Sequence, residues 1–432
     1  MRSLKFLSVL TLLCITFFII LAFKVVGDGV KKNDAHVSSS QTESVLMQKT
    51  LARRYDIKKQ KLKLALEEYF QKAIASGEIV GAGVSVVKGD SIVISDGFGK
   101  RNVNKKAKVD GETVFRLGSL SKGFAAVLMA NLENGGQLDF DHKVVDYIPE
   151  FQFGTDQNTK DIKLSHILSH TAGTPYHSFT NLVEAGLSMN TIASRFSEVK
   201  PYSLPGVQYS YQNAMFALSQ EVMRKATGKD AKTLLRNRFF RPLGMSNTSM
   251  THIELMKEEN IAAPHYKRKQ GWRRLPLRNC YYNAVAAGGI NASSNDMGKW
   301  MRFLLGHNPE VMKRTAVEKV FKPFVSVNNK RKYYQRWPGH IQSSYGFGWR
   351  IHEFQEQDTE STYTVWHHGG SVNNYRNEIA LYPEADLGIC VLLNGNSKLA
   401  KTVIPDLYEI VKKIYQSTSV NENLLSTEAQ LD

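Results

Sequence analysis

Leu117-Gly118-Ser119-Leu120-Ser121-Lys122 is the stretch from which the rest of this chain can be read. A serine stands at an expected helix start, and a lysine follows three residues later. Residues three apart share a helix face, so the Lys122 ammonium can reach the Ser119 hydroxyl. A hydroxyl becomes a useful nucleophile when a neighbour takes its proton. The first turn of a helix adds free N–H groups and a positive dipole end, which favour developing negative charge. Taken alone, the spacing also fits a helix start with a solvated lysine. Phe124, Val127, Leu128 and Leu132 continue at helical spacing, however, which predicts a buried helix. Buried helices rarely turn an unpaired lysine inward. Gly135-Gly136 closes the helix.

Working outward, two strand-like runs precede the serine. They are Gly81 to Val87 and Ser91 to Ser95, joined by Lys88-Gly89-Asp90 as a hairpin turn. Before them, residues 46–75 read as a charged helix with Leu62, Leu66, Tyr69 and Ala73 as its buried face. After Ser119 the pattern is mainly helical to about residue 260. It includes Leu168-Ser-His-Thr-Ala-Gly173, then Pro205-Gly-Val-Gln-Tyr-Ser-Tyr211-Gln-Asn213 leading into an apolar helix. A helix with Met297, Trp300 and Leu304 follows Ala287-Gly-Gly-Ile290. Three strand signals close the chain: Tyr345 to Arg350, Val365 to Ser371, and the continuous apolar run Gly388 to Asn394, fit for a central strand. A helix over Pro405 to Tyr415 covers the sheet.

Residues 1–27 read as a signal peptide or signal anchor. Arg2 and Lys5 precede an uncharged run from Phe6 to Phe23. At 1.5 Å per residue this is about 27 Å of helix, just enough to span a bilayer. Both readings place the remainder outside the cytoplasm, periplasmic or otherwise extracytoplasmic, and residues 6–23 are the expected tether to the inner membrane. Residues 28–45 form a polar linker, 46–417 the folded domain and 418–432 a loose tail. The formal net charge of +16 suits an anionic surface or simply a solvated basic face. No arginine-rich run, zinc spacing or aromatic-basic repeat points to nucleic acid. Three cysteines are too few for a disulfide framework. Cys280 and Cys390 are expected free, buried and structural. His166 and His170, four apart, do not amount to a zinc pair, and no metal site is expected.

The order Ser119-x-x-Lys122, Tyr211-x-Asn213 and a late His368-Gly369-Gly370 resembles the serine β-lactamase and penicillin-binding protein superfamily, in particular its class C branch. Phe115-Arg-Leu-Gly-Ser-Leu-Ser-Lys122, Leu138 to Glu150, Leu168 to Gly173, Arg241-Pro-Leu-Gly-Met245, Tyr345-Gly-Phe-Gly-Trp349 and Pro383-Glu-Ala-Asp-Leu-Gly388 carry the likeness from about residue 75 to 415. It implies an α/β (α+β) fold, with an antiparallel sheet flanked by helices, a helical lobe, and the site in the cleft between.

The resemblance also implies roles. Ser119 is the nucleophile that forms an acyl-enzyme, and Lys122 helps take its proton. Tyr211 is the second base and acid, its phenol tuned by nearby cations with Lys122 the obvious one. Asn213 ties Lys122 in place and binds the substrate amide. A core tyrosine and a turn-capping asparagine are the structural alternatives. The family's Lys-Thr-Gly falls on His368, Gly369 and Gly370, with the Ser371 N–H joining that of Ser119 in an oxyanion hole. A frame one residue earlier would use His367-His368-Gly369, and His367 also reads as a strand residue facing away. Those two lost positions help hold the substrate carboxylate in members that bind β-lactams well. His-x-Gly versions occur in D,D-peptidases, D-aminopeptidases and esterases of the same fold. The expected activity is hydrolysis of amides in β-lactams or D-amino-acid cell-wall peptides, without cofactor, by a monomer. An esterase, or an inactive wall-binding relative, is the alternative.

Overall fold

The computed structural model describes residues 44–327, 332–356 and 360–416. The apolar run 6–23 and the tail 418–432 lie outside them. Two compact units divide between Lys61 and Leu62. In the first, residues 44–61 are helical and rich in exposed Lys and Arg. Among the described residues no helix is long and apolar enough to cross a membrane.

The second unit opens on the rest of α1 (44–75). Its buried line is Leu62, Leu66, Phe70 and Ala73. Phe70 replaces the expected Tyr69, because the core lies on the Phe70 side, where its ring stacks 4.7 Å from Phe98. Tyr69 is half-buried, and its phenol donates to Asp406 Oδ2 at 2.6 Å.

The strands are β1 (Gly81–Lys88), β2 (Ser91–Gly99), β3 (Val114–Arg116), β4 (His265–Arg268), β5 (Gly271–Arg274), β6 (Asn291–Ser293), β7 (Val325–Ser326), β8 (His340–Tyr345), β9 (Arg350–Gln355), β10 (Thr362–Val372), β11 (Tyr375–Tyr382) and β12 (Leu387–Leu393). Eight form one sheet in the order β2-β1-β12-β11-β10-β9-β8-β7. Every neighbouring pair is antiparallel. Both chain ends build it, as expected, and β12 is interior with all seven residues buried. The continuous apolar run LGICVLL suits a strand covered on both faces. The Tyr345 to Arg350 stretch is not a strand. Gly346 to Trp349 form the turn joining β8 to β9, because Gly348 at φ +73° leaves the extended region.

α2 (Ser121–Asn134) follows a short 3-10 turn, Gly118–Leu120. Eleven of its fourteen residues are buried, Lys122 among them. Its Phe124 stacks on Trp300 of the helix Ser294–Leu304, which packs on β1, β2 and β12. The helix Val403–Gln416 packs on β11 and β12. Residues 139–260 supply the helical lobe.

β10 passes close to the Ser119 turn because two glycines let it. A Cβ at Gly370 would lie 2.1 Å from the Leu117 carbonyl oxygen, and one at Gly118 2.9 Å from the Ser371 nitrogen. Gly370→Ala is therefore expected to push β10 off the turn. The cost is about 1–3 kcal/mol of stability, as for other over-packed cores, with acylation of Ser119 lost. Urea melts and an active-site label check both.

Candidate active site

The Ser119 turn is pinned from below. Asn377 on β11 donates to the carbonyls of Arg116 and Leu117 at 2.8 and 3.1 Å. Gly118 takes φ +58° to bring the chain round, and Ser119 lands beside the end of β10. Ser119, Tyr211, Asn213, Gly369 and Ser371 all line one cleft of about 550 Å3 between sheet and helical lobe. Chain segments distant in sequence are thus brought together as expected.

Lys122 is fully buried beneath Ser119. Its Nζ lies 2.8 Å from Asn213 Oδ1, 2.9 Å from the Ala287 carbonyl oxygen and 3.3 Å from Ser119 Oγ. No carboxylate is among those contacts. Burial, and then the positive charge of Arg350, hold its pKa well below the usual lysine range. A neutral amine has two hydrogens and one lone pair. The two oxygens that can only accept, on Asn213 and Ala287, take the hydrogens. The lone pair is left facing the Ser119 hydroxyl, which is the arrangement of a general base.

Asn213 opens a short helix, Asn213–Ala217. Because Lys122 holds its Oδ1, its amide nitrogen faces Tyr281 Oη at 3.1 Å and His177 Nδ1 at 3.4 Å. Tyr211 is buried, its phenol hydrogen-bonded to Ser119. Burial pushes that phenol up to about 12, while Arg350 and the Ser119 bond pull it down. This corrects the expectation that Lys122 is the tuning cation. The Lys122 nitrogen sits 4.8 Å over the Tyr211 ring face, and its own charge is suppressed by burial. Arg350, always charged, supplies the field.

The strand register decides between the two histidines. β10 places His367 beside Arg350 and opposite Ala380, and His368 opposite Ile379. His368 is the one on the Tyr211 side, its ring 6.3 Å from that of Tyr211. It does not line the cleft, which corrects its expected substrate-binding role. It is buried, and both ring nitrogens are engaged. Nδ1 lies 2.7 Å from the Gly369 carbonyl and so must donate, leaving Nε2 to accept from Tyr345 Oη at 3.1 Å. Burial and the charge of Arg350 hold it neutral. Gly370 likewise contributes closeness to the Ser119 turn rather than a substrate contact. Gly369 and Ser371 remain on the cleft wall.

Several cleft residues carried no signal in the sequence. Arg350, Tyr333 and Arg376 line the sheet side, and His177, Tyr281 and Glu184 the helical side. Lys332 and Lys401 add positive charge at the same cleft, against Glu184 alone among its lining acids. Arg350 is half-buried, its guanidinium 5.0 Å over the Tyr334 ring, and among the described residues its buried Nε and Nη1 have no hydrogen-bond partner. A lone arginine ending an aromatic-glycine stretch was visible, but only the fold sets it in the cleft. Cys280 is free but half-buried rather than buried, with its sulfur 3.5 Å from Arg116 Nη1. No metal-ligand cluster occurs among the described residues.

A family model described as Beta-lactamase matches residues 66–409. Protein flp of Staphylococcus aureus (strain NCTC 8325 / PS 47) is 22% identical over 344 residues, covering 79% of this chain and 65% of its own length. Unguisins hydrolase ungD' of Aspergillus campestris is 24% identical over 341 residues, covering 76% of this chain and 61% of its own. The chain thus spans under two thirds of either relative. Among solved structures, an octameric penicillin-binding protein homologue from Pyrococcus abyssi superposes with a TM-score of 0.68 at 22% identity, covering 80% of this chain and 77% of that one. EstCE1, a hydrolase with promiscuous acyltransferase activity, gives 0.69 at 18% identity, covering 82% and 99%.

Proposed function

Because the chain belongs to the beta-lactamase family, its match spanning residues 66–409, we propose that it is a serine hydrolase that acylates Ser119 and cleaves amides bearing a carboxylate, in β-lactams or D-amino-acid peptides. The observation that carries this reading is the buried Lys122 amine, 3.3 Å from Ser119 Oγ with both its hydrogens claimed elsewhere. Lys122 takes the Ser119 proton as Oγ attacks the carbonyl carbon. The tetrahedral oxygen is stabilised by the Ser119 and Ser371 N–H groups. Tyr211, bonded to Ser119, passes a proton to the leaving nitrogen and later receives one from the water that frees the acyl group. Arg350, a cation lining the cleft beside Arg376, favours substrates with an anionic group over neutral ones. The apolar run 6–23 would hold this activity outside the cytoplasm.

The test mixes the full chain with a penicillin and a chromogenic cephalosporin, beside a Ser119→Ala control, reading intact mass and colour. A mass adduct or turnover that the control lacks is expected. Absence of both with β-lactams, D-aminoacyl amides and short-chain esters alike would sink the reading. An ester hydrolase is the second reading, favoured by one observation. His368 is neutral with both ring nitrogens engaged, so no lysine-like cation stands beside Ser119 there. Turnover of short-chain esters with no β-lactam adduct would select it.

A further inference from the structure

Beneath the cleft wall lies a buried row of polar groups that the acylation chemistry does not use. Glu378 on β11 sits directly behind Gly369. A Cβ at Gly369 would lie 2.9 Å from Glu378 Oε2 and 2.8 Å from Tyr333 Oη. Tyr333 donates to Glu378 Oε2 at 2.7 Å, and His367 Nε2 lies 2.8 Å from the same oxygen. Arg376 Nη2 lies 2.7 Å from Oε1. Behind His367 the row continues. His367 Nδ1 is 3.1 Å from His352 Nε2, His352 Nδ1 is 2.8 Å from Ser343 Oγ, and Ser343 Oγ is 2.7 Å from the half-buried His340 Nε2. An ionised Glu378 only accepts. Each link then donates toward it: His340 N–H to Ser343, Ser343 O–H to His352, His352 N–H to His367, His367 N–H to Glu378.

Arg350 and Arg376 line the sheet side of the cleft, and Glu378, behind the Gly369 backbone, is the acid that holds Arg376 there, while Glu184 lies on the helical side. A substrate anion docked on Arg350 and Arg376 would stand across the Gly369 backbone from Glu378. Two carboxylates sharing one small site resist being ionised together. An anion arriving beside Glu378 therefore favours its protonated form. Glu378 is buried and fixed by three neighbours, so it cannot move away.

We propose that the cleft binds an anionic substrate together with one proton, and that Glu378 is the group that holds this proton. The proposal rests on reading the cleft as a site for anionic acyl compounds. The proton passes from His367 Nε2 to Glu378 Oε2. It is replaced on His367 Nδ1 from His352, on His352 from Ser343, and on Ser343 from His340, so each bond moves one hydrogen and solvent refills His340. The groups facing Glu378 are Arg376 on its own strand, His367 on β10, Arg350 on β9, Tyr333 on the 3-10 turn Tyr333–Arg336, and Cys390 on β12. Burial already raises its carboxyl to about 7, against the pull of Arg376, Tyr333 and Arg350. His352 and His367 stay neutral because burial holds them well below the usual histidine range, so they relay a proton without storing it. An added anion raises Glu378 further, so uptake is expected at neutral and mildly alkaline pH.

Calorimetric titration of the full chain carrying Ser119→Ala tests this. The probes are benzylpenicillin, N-acetyl-D-alanyl-D-alanine and the C-terminal amide of that peptide, each at pH 7.5 in phosphate and in Tris. For the two anions the heats are expected to differ between buffers by the uptake of up to one proton. Affinity should fall by up to about tenfold per pH unit between the free-state pKa of Glu378, about 7, and its higher bound-state value, and level off beyond it. The neutral amide should show neither. Glu378→Gln should abolish the uptake and flatten the pH dependence. Tyr333→Phe removes a bond to the ionised carboxylate, so it should move the midpoint to higher pH, and this variant serves if Glu378→Gln does not fold. Buffer-independent heats, unchanged uptake in Glu378→Gln, or no binding of either anion would each overturn the proposal. Ser119 labelling of the wild-type chain is read separately. Acylation without proton uptake defeats the role of Glu378 and spares the hydrolase, and proton-linked binding without acylation does the reverse.

Discussion

Lys122→Arg is expected to remove acylation of Ser119 as completely as Lys122→Ala, each lowering kcat/KM by about 10²–10⁴-fold, the usual worth of a positioned general base. The two substitutions would differ if Lys122 acted through charge, since arginine keeps it. The geometry says that charge is not what Lys122 supplies. Its nitrogen is buried with no acid beside it, and its hydrogens go to Asn213 Oδ1 and the Ala287 carbonyl. What remains for Ser119 is a lone pair, which guanidinium does not offer at any working pH. The acidic limb of the pH profile follows from the same fact. The pKa of Lys122 is lowered, so the amine is neutral above it and protonated below it. Acylation must therefore fall as pH drops through that value and hold above it. Stopped-flow acylation of wild type across pH, with mass readout for the variants, checks both. A Lys122→Arg enzyme retaining more than about a tenth of the rate would mean that charge, not basicity, is what Ser119 needs.

Arg350→Gln is expected to move function and stability in opposite directions. Losing one partner of a buried charged contact costs about 2–5 kcal/mol, so kcat/KM for a carboxylate-bearing substrate should fall about 30-fold or more relative to its neutral analogue. In the unliganded protein the same guanidinium is buried with Nε and Nη1 unpaired. The Tyr334 ring, 5.0 Å away, offsets only part of the desolvation penalty of this charge, and the neutral variant does not carry that penalty. The thermal midpoint of the variant should therefore be unchanged or higher. Both substrates should also lose some kcat, because Arg350 is the cation that pulls the Tyr211 phenol down. Matched amide and carboxylate substrates, with a melting curve, separate these effects. A lower midpoint together with an equal loss on both substrates would make Arg350 a structural residue.

The contrast between the two sites of charge explains what was legible beforehand. Ser119 and Lys122 are three apart on one helical turn, so helix geometry alone brings them together. Tyr211 and Asn213 sit at a turn that runs into an apolar helix, and their placement follows from the motif order. The hairpin of β1 and β2 and the buried run of β12 are readable because β-branched and apolar runs pack well in a covered sheet. His367 and His368 were not separable in this way. In a strand, a shift of one residue sends every side chain to the opposite face. Only the pairing of β10 with β9 and β11 sets His368 beside Tyr211 and His367 beside Glu378. Gly369 tells the same story. It reads as a missing hydroxyl in the sequence, and in the fold it is the gap that lets Tyr333 and Glu378 approach the wall.

The sequence by itself picked out Ser119, its lysine, the tyrosine and asparagine that join them in one cleft, and the sheet built from both chain ends. These depend on local spacing and hydrophobic pattern, which are written residue by residue. Tertiary structure alone decided the protonation of Lys122, the tuning of Tyr211 by Arg350 and the cationic wall of the cleft. Those are properties of desolvation and of summed charge, contributed by segments far apart in the chain, and they exist only once folding has removed water from between them.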